Sequence, residues 1–275
     1  MFHCFYNNQI KNTSESLIPV NDLGLFRGYG LFDFFRTYNG IPFQWDWYWA
    51  RFCNSAEKLG LVIPFTESQV KEAVAEMIDL CPEQECSFRF VLTGGVTLDG
   101  MTSTNPSFFI LSEKISEVAD LTYAKGIKVE TREYIRDMPE IKSTDYKFLL
   151  QIMPDLKKNK STDVLFVKEG WISELSRSNI FVVSEDKIIT PKKNILKGIT
   201  RKTVIEQLIS DFEVQERDLT IEEVLNAKEV FTTSSTKKVL SISQIDDHII
   251  GDGQAGPVSQ LLLDRFNSLV QNWKG

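Results

Sequence analysis

The spacing of apolar residues changes near residue 120, and this change constrains the fold more than any other feature of the sequence. Around this point neither helical nor strand periodicity is visible, and a new β-rich run begins at Ile127–Ile135. A loss of periodicity between two structured regions is typical of a domain boundary. We therefore predict a first domain over 1–118, a linker over 119–126 and a second domain over 127–275.

Both regions mix strands and helices without the regular alternation of a βαβ fold. Apolar residues three to four positions apart predict helices, and runs of β-branched and aromatic residues predict strands. The predicted helices cover Asp46–Leu59 and Val258–Val270 and begin near Thr66, Ser143 and Thr200, and the predicted strands cover Ser87–Thr93, Ser107–Ser112, Val164–Val167, Trp171–Ser173 and Asn179–Val183. This pattern favours an α+β architecture.

Composition excludes several classes of function. The 275 residues contain 31 Lys+Arg and 38 Asp+Glu, a formal net charge of −7, and the basic residues form no stripe that would attract nucleic acid. No apolar run approaches the ~20 residues that span a bilayer. Residues 1–10 carry neither the basic nor the apolar segment of a signal peptide. We therefore expect a cytoplasmic protein that binds small molecules, with neither nucleic acid nor membrane as a partner.

Cysteine and histidine usage limits the chemistry that this chain can perform. Cys81 and Cys86 lack the C-x-x-C spacing of zinc and redox sites, and we expect all four cysteines to be reduced thiols. His3 lies at an end expected to fray, and His248 lies in a polar turn, so neither suits a catalytic triad or a metal site. We expect no metal, and proton transfer must come from lysine, tyrosine, carboxylates or a cofactor.

The segment 196–201, Leu-Lys-Gly-Ile-Thr-Arg, is the best candidate for binding an anion. Gly198 permits a tight turn, and Thr200 can cap a helix whose free N–H groups attract phosphate. The hydroxyl-rich run 232–236 offers a second set of donors. Either segment alone fits an ordinary helix cap or polar turn as well as it fits a phosphate site. Gly28-Tyr29-Gly30 lacks the third glycine of a dinucleotide-binding motif.

Two charged residues are candidates for catalysis. Lys142 stands between a predicted strand and a predicted helix, where its side chain can be held inward. A desolvated lysine can form a Schiff base with an aldehyde. Glu174 follows a short predicted strand and is either an exposed hairpin residue or the partner of a buried cationic ring nitrogen.

These residues occur in an order that resembles the class IV, fold-type IV pyridoxal-phosphate aminotransferases. The order is Lys142, then Glu174 within SELSRSNIFVV, then Thr190-Pro191, then LKGITR. NDLGLFRGYGLFDFFRTYNG and WARFCNSAEKLG are similar to the N-terminal domain of that family, so the resemblance covers nearly the whole chain. It implies a two-domain fold with a smaller N-terminal α/β domain and a larger C-terminal α/β pseudo-barrel domain. It also implies pyridoxal 5′-phosphate as cofactor and a homodimer.

The resemblance also implies a role for individual residues. Lys142 would form the Schiff base and shuttle the substrate proton between Cα and the C4′ atom of the cofactor. Glu174 would keep the pyridine nitrogen protonated, which makes the ring an electron sink. The remaining cofactor-binding positions are Arg51, Ile199, Thr200 and Ser235 for the phosphate, Tyr146 for the 3-oxygen and Leu196 for the face of the ring.

On the substrate side the chain departs from several members of the family that it resembles. Phe32 sits where D-amino-acid transaminases have a tyrosine, and Thr93-Gly94-Gly95 lacks the arginine of their T-R-G run. Phe34 falls where aminodeoxychorismate lyases carry a threonine, and Arg27 replaces an aromatic residue beside the substrate pocket. These changes weaken both the D-amino-acid transaminase and the lyase interpretations, and exclude neither.

Arg36 and Arg89 match sites where branched-chain aminotransferases carry arginine. We prefer Arg89 as the partner of a substrate carboxylate, because its strand leads directly into the pocket loop. The leading interpretation is an aminotransferase that moves an amino group from a branched-chain-like L-amino acid to a 2-oxo acid. It rests on the phenylalanines on the pocket side, which are Phe26, Phe32, Phe34 and Phe35. The alternatives are a 4-amino-4-deoxychorismate lyase that releases pyruvate and 4-aminobenzoate, and a non-catalytic binding module on the same scaffold.

Overall fold

The computed structural model describes residues 2–81, 83 and 85–275, which fall into two compact units. The N-terminal unit consists of Met1–Ile115, Ile141–Asp145 and Gln271–Gly275, and the C-terminal unit consists of Ser116–Glu140 and Tyr146–Val270. The segment 119–126, expected as a linker, contains a helix and belongs to the C-terminal unit. Two short segments from the expected second domain are part of the N-terminal unit.

Among the described residues, the N-terminal unit contains the strands β1 His3–Tyr6, β2 Gln9–Asn12, β3 Gly30–Tyr38, β4 Ile41–Pro42, β5 Ser87–Thr93 and β6 Ser107–Glu113. They form a six-stranded antiparallel sheet in the order β2-β1-β6-β5-β3-β4. Its helices are α1 Leu23–Arg27, α2 Trp45–Lys58 and α3 Glu67–Asp79, with a 3-10 turn at Thr13–Glu15. Helix α3 begins with a capping box at the predicted start near Thr66, because Thr66 and Gln69 exchange hydrogen bonds.

Aromatic side chains form the core between this sheet and α2. Phe35 of β3 is fully buried, and its ring centroid lies 5.6 Å from that of Trp45, 5.4 Å from that of Phe88 and 5.0 Å from that of Phe90. Because side chains alternate along a strand, Phe32 and Phe34 lie on the opposite face of β3. Phe35 was expected on the pocket side and is instead part of the core.

Two further differences from the sequence predictions occur in the N-terminal unit. His3 is not in a frayed end, because β1 pairs with both β2 and β6. Cys81 and Cys86 are joined by a disulfide, whereas all four cysteines were expected as thiols, and Cys4 and Cys53 are free. The end of α3 and the start of β5 bring the two Cα atoms to 6.8 Å, within the reach of a disulfide.

Among the described residues, the C-terminal unit contains the strands β7 Ile127–Glu133, β8 Asp163–Lys168, β9 Trp171–Leu175, β10 Asn179–Ser184, β11 Lys187–Thr190, β12 Glu213–Glu216, β13 Leu219–Thr220, β14 Glu229–Ser234, β15 Lys238–Ile245 and β16 His248–Ile249. They form a ten-stranded mixed sheet in the order β12-β11-β10-β14-β15-β7-β8-β9-β13, with β16 paired to β15. Its helices are α4 Asp120–Lys125, α5 Lys147–Lys158, α6 Ile199–Thr203, α7 Ile221–Leu225 and α8 Pro257–Gln271, and a π-helical turn, Val204–Leu208, follows α6.

The hairpin of β8 and β9, the strand β10 and the last helix confirm the sequence predictions, and two helix starts differ. Helix α5 begins at Lys147 rather than near Ser143, because Ser143 forms a β-bridge with Leu31. Thr200 does not cap α6, since Gly198 takes that position with extended backbone and the helix begins at Ile199. In the part of the chain that the structure describes, no helix is long and apolar enough to cross a membrane.

We predict that Phe35→Ala lowers the free energy of unfolding of the N-terminal unit by about 3–5 kcal/mol, because it empties the centre of the aromatic core. Urea unfolding followed by tryptophan fluorescence measures the change. Val62→Ala is the control, because Val62 is exposed and its truncation leaves no cavity. An equal loss for both variants would contradict this account of the core.

Candidate active site

Lys142 is held beside the first residues of β3 in the N-terminal unit. Its carbonyl oxygen accepts a hydrogen bond from the Phe32 N–H at 2.8 Å, and the Thr144 N–H donates to Gly30 O at 3.0 Å. The Lys142 side chain is half-buried, and its Nζ lies 4.6 Å from the centroid of the Phe32 ring. The ammonium group is therefore held against an aromatic face instead of extending into solvent.

A second cation lies on the same aromatic surface. The Cζ atom of Arg89 is 4.9 Å from the centroid of Phe32 and 5.3 Å from that of Phe34. Arg89 also forms a bidentate ion pair with Glu113, in which its Nε and Nη2 donate to the two carboxylate oxygens. The structure thus brings Lys142, Phe32 and Arg89 together within the N-terminal unit, as a surface that is apolar and cationic.

Arg51 on α2 is fixed by a carboxylate on β3. Its Nε and Nη2 donate to the two oxygens of Asp33 at 2.9 and 2.6 Å, and Asp33 is completely buried. The guanidinium also lies 5.2 Å from the centroid of the Tyr48 ring. A bidentate pair fixes the plane of an arginine, so the orientation of Arg51 is set within the N-terminal unit.

The other two arginines predicted at the site have different surroundings. Arg36 is buried, pairs with Glu85 and lies over the ring of Tyr38. Arg27 is exposed, stacks on Phe26 and donates to Gly100 O at 3.1 Å. Of the three candidates, Arg89 is the one that lies over Phe32, the ring that also contacts Lys142.

Glu174 of β9 is a buried carboxylate with a donor on each oxygen. Oε1 accepts from Arg136 Nε at 2.8 Å and lies 2.7 Å from Arg136 Nη2, and Oε2 accepts from the Leu196 N–H at 2.9 Å. The guanidinium of Arg136 provides the opposite charge that a buried carboxylate needs, since burying a lone charge costs several kcal/mol. The remaining lone pairs of Glu174 can therefore accept a hydrogen bond from a protonated nitrogen.

The segment after β11 is fixed through the peptide groups of Leu196. While its N–H donates to Glu174, its carbonyl accepts from Asn179 Nδ2 at 2.8 Å. A Cβ atom on Gly198 would lie 2.1 Å from Asn179 Oδ1, so only glycine fits here. The N–H groups of Ile199 and Thr200 follow in the first turn of α6, where the helix itself provides no acceptors for them.

The remaining predicted positions also lie in the C-terminal unit. Ser235 is in the turn between β14 and β15, beside the hydroxyl groups of Ser234 and Thr236, which are 3.5 Å apart. Tyr146 precedes α5 and packs against the buried cluster Leu149, Leu156, Val164 and Phe166. Within this unit the structure brings Glu174 and Leu196 into direct contact.

The residues that hold the proposed site residues in place were not predicted from the sequence. Asp33 had one available signal, since it is an acidic residue between the aromatic residues Phe32 and Phe34. Asn179 opens the predicted strand Asn179–Val183, where an amide side chain is unusual. Arg136 lies in a stretch without periodicity, so nothing in the sequence relates it to Glu174.

Comparison with known proteins identifies the family. The family model described as amino-transferase class IV matches residues 30–245, which is most of the chain. The chain belongs to the class IV aminotransferases.

Two curated relatives cover nearly the full length of this class IV aminotransferase. A D-alanine aminotransferase from Bacillus licheniformis is 26% identical over 264 residues, which are 93% of this chain and 92% of the relative. A putative branched-chain-amino-acid aminotransferase from Methanocaldococcus jannaschii is 27% identical over 280 residues, 98% and 96% of the two chains. The match to both kinds of enzyme shows the family but does not choose between their substrates.

A solved structure shows the same fold. The branched-chain amino acid aminotransferase of T.th. with pyridoxamine 5′-phosphate superimposes with a TM-score of 0.90 at 24% identity, and the match covers 99% of this chain and 95% of that one. The fold-type IV architecture expected for this class IV aminotransferase is therefore confirmed.

The residues of this chain fit the pyridoxal 5′-phosphate that class IV aminotransferases use. An ionised, buried carboxylate such as Glu174 is the group that a protonated pyridine nitrogen needs. Lys142 supplies a half-buried amine, and the first turn of α6 supplies backbone N–H groups for a phosphate. The chemistry of each donor therefore suits one part of the cofactor.

We predict that Gly198→Ala destabilises the C-terminal unit by about 1–3 kcal/mol, because the new methyl group displaces the Asn179 amide from the Leu196 carbonyl. In an Asn179→Ala background the same glycine substitution should cost much less, because the clashing oxygen is gone. Thermal unfolding of the four proteins in this cycle measures both effects. If the stability losses of the two substitutions were simply additive, the close approach of Gly198 and Asn179 would have no energetic role.

Proposed function

We propose that this aminotransferase moves an amino group from a branched-chain-like L-amino acid to a 2-oxo acid, and that Lys142 and Glu174 carry the reaction. The observation that supports the chemistry best is the buried Glu174 carboxylate between Arg136 and the Leu196 N–H. Family membership supports transfer of an amino group over the lyase reaction and over a binding module without activity.

In this proposal Lys142 is the base. When bound, the cofactor withdraws electrons from the substrate carbon and so makes its proton acidic. Lys142 Nζ would remove that proton from Cα of the substrate and return it to the C4′ atom of the cofactor. The Phe32 ring lies next to Nζ and excludes water from one side of the amine.

The other proposed residues bind and orient the cofactor. Glu174 accepts a hydrogen bond from the ring nitrogen and keeps its proton there, while Leu196 supports the face of the ring. Tyr146 donates to the 3-oxygen. Arg51 forms an ion pair with the phosphate, and Ile199, Thr200 and Ser235 donate hydrogen bonds to it. The Asp33 pair supports the assignment of Arg51, because it fixes the guanidinium in one orientation before the phosphate arrives.

The surface beside Lys142 supports an L-amino acid with an apolar side chain. Phe32 and Phe34 provide apolar contact, and we assign the guanidinium of Arg89, which also pairs with Glu113, to a substrate carboxylate. Arg89 is more accessible than the buried Arg36, which supports our preference between the two. We keep Arg27 as a residue at the outer edge of the substrate site, since it is exposed and fixed to Gly100 O.

We predict that kcat/KM for L-leucine exceeds that for D-alanine by at least about 100-fold, with 2-oxoglutarate as acceptor. Lys142→Ala abolishes the transfer, while Lys147→Ala, a nearby exposed lysine, retains it. Formation of the 2-oxo acid product measures both results. A preference for D-alanine would overturn the substrate proposal. Pyruvate release from 4-amino-4-deoxychorismate without any acceptor would instead support the lyase alternative.

We further propose that the chain forms a homodimer through an apolar surface of the N-terminal unit. This surface, the 17–27/97–101 patch, exposes Leu17, Val20, Leu25, Leu98 and Met101. Its two segments are joined, because Asn21 Nδ2 donates to Thr97 O at 2.9 Å and Arg27 Nε donates to Gly100 O at 3.1 Å. Exposed apolar patches of this kind are typical of protein interfaces. The cytoplasmic location expected from the sequence stays a prediction.

We predict that the double substitution Leu98→Asp and Met101→Asp raises the dissociation constant of the dimer at least about tenfold, because it puts unpaired carboxylates into the interface. Light scattering over a range of protein concentrations measures the mass. Val62→Asp is the control, since Val62 is an exposed apolar residue outside the patch. A dimer that persists unchanged in the double variant would exclude this surface.

A further inference from the structure

The C-terminal unit contains a buried ion pair outside the residues assigned so far. Lys237 is 9% exposed and Asp163 is 1% exposed, and Lys237 Nζ donates to Asp163 Oδ2. Asp163 Oδ1 accepts from Ser176 Oγ and from the Val164 N–H. Every polar atom of this carboxylate is thus engaged.

The negative charge of Asp163 is stabilised by its contacts. Burial raises the pKa of Asp163, but the Lys237 ammonium and the hydrogen bonds from Ser176 and Val164 outweigh it, so the pKa lies below its usual range. Buried ion pairs add little net stability, and a well-packed apolar pair often replaces them without loss. Stability alone therefore does not explain a lysine at this position.

The pair connects two segments that carry proposed cofactor ligands. Lys237 ends the turn that holds Ser235, and its own N–H donates to Ser234 Oγ at 3.1 Å. On the other side, Ser176 and Ser178 lie in the connection that follows β9, the strand of Glu174, and Ser178 Oγ is 3.5 Å from Lys237 Nζ. The Lys237 carbonyl is fixed as well, by the Tyr123 hydroxyl at 3.1 Å.

We infer that the Lys237–Asp163 pair is a positioning device that holds the Ser234–Lys237 turn against the segment after Glu174, so that Ser235 meets the cofactor phosphate. Lys237 acts here through the turn and does not touch the phosphate, because its Nζ is committed to Asp163. This inference rests on the proposed function, since it uses Ser235 as a phosphate ligand.

Comparing pyridoxal 5′-phosphate with pyridoxal isolates the contribution of the phosphate. The full-length apoenzyme is titrated with each compound, and the ratio of the two dissociation constants is the phosphate preference. We expect Lys237→Met to weaken the binding of pyridoxal 5′-phosphate about 10- to 100-fold and to leave the binding of pyridoxal nearly unchanged. A role in general stability alone would weaken both equally or neither.

Two further variants keep the test decisive. Lys238→Met makes the same chemical change at the next residue, whose Nζ bonds to Asn267, and should retain the full phosphate preference. The double variant Asp163→Asn, Lys237→Met contains no unpaired buried charge and should fold even where Lys237→Met alone does not. We expect it to regain thermal stability but not the phosphate preference. If it regains both, or if Lys237→Met keeps the preference, the inference is wrong.

The wild-type enzyme separates this inference from the proposed function. A wild type that binds pyridoxal as tightly as pyridoxal 5′-phosphate would contradict the proposed phosphate site itself. A wild type with a strong preference, together with an unaffected Lys237→Met variant, would overturn only the positioning role of the pair.

Discussion

The hydrogen-bonded pair of Glu174 and Arg136 is the interaction on which the proposed chemistry depends. A carboxylate can polarise a cationic ring only if it remains ionised, and inside a protein that requires a partner. Arg136 supplies the opposite charge, and the Leu196 N–H fixes the second oxygen. Because Leu196 also precedes α6, the same contact fixes the start of the segment proposed to bind the phosphate.

In the N-terminal unit the proposed site residues are held in place by β3, whose side chains alternate between the two faces of the sheet. One face of the strand carries Phe35 and Asp33, which form the core and hold Arg51 on α2. The other face carries Phe32, which lies against both Lys142 and Arg89. A single strand thus fixes a proposed phosphate ligand on one side and the proposed base and substrate arginine on the other.

Regular elements could be predicted because periodicity is a local property of the sequence. The cap of α6 is Gly198, two residues before the predicted Thr200. The start of α5 was wrong because residues 142–144 pair with the distant start of β3. The same reason limits prediction of the site. The order of motifs suggested Lys142, Glu174 and the 196–201 segment, but Arg136 lies 38 residues from Glu174 and Asp33 lies 18 from Arg51. Such pairs are set by topology, which spacing does not reveal. The Cys81–Cys86 disulfide was missed because its spacing matches no motif.

The most direct test of the central claim is to locate the cofactor on the chain. Borohydride reduction of the holoenzyme fixes the cofactor to the lysine that holds it, and mass spectrometry of the peptides then identifies that lysine. The account predicts a phosphopyridoxyl group on Lys142. A label on another lysine, such as Lys147 or Lys237, or no label on a protein saturated with pyridoxal 5′-phosphate, would contradict it.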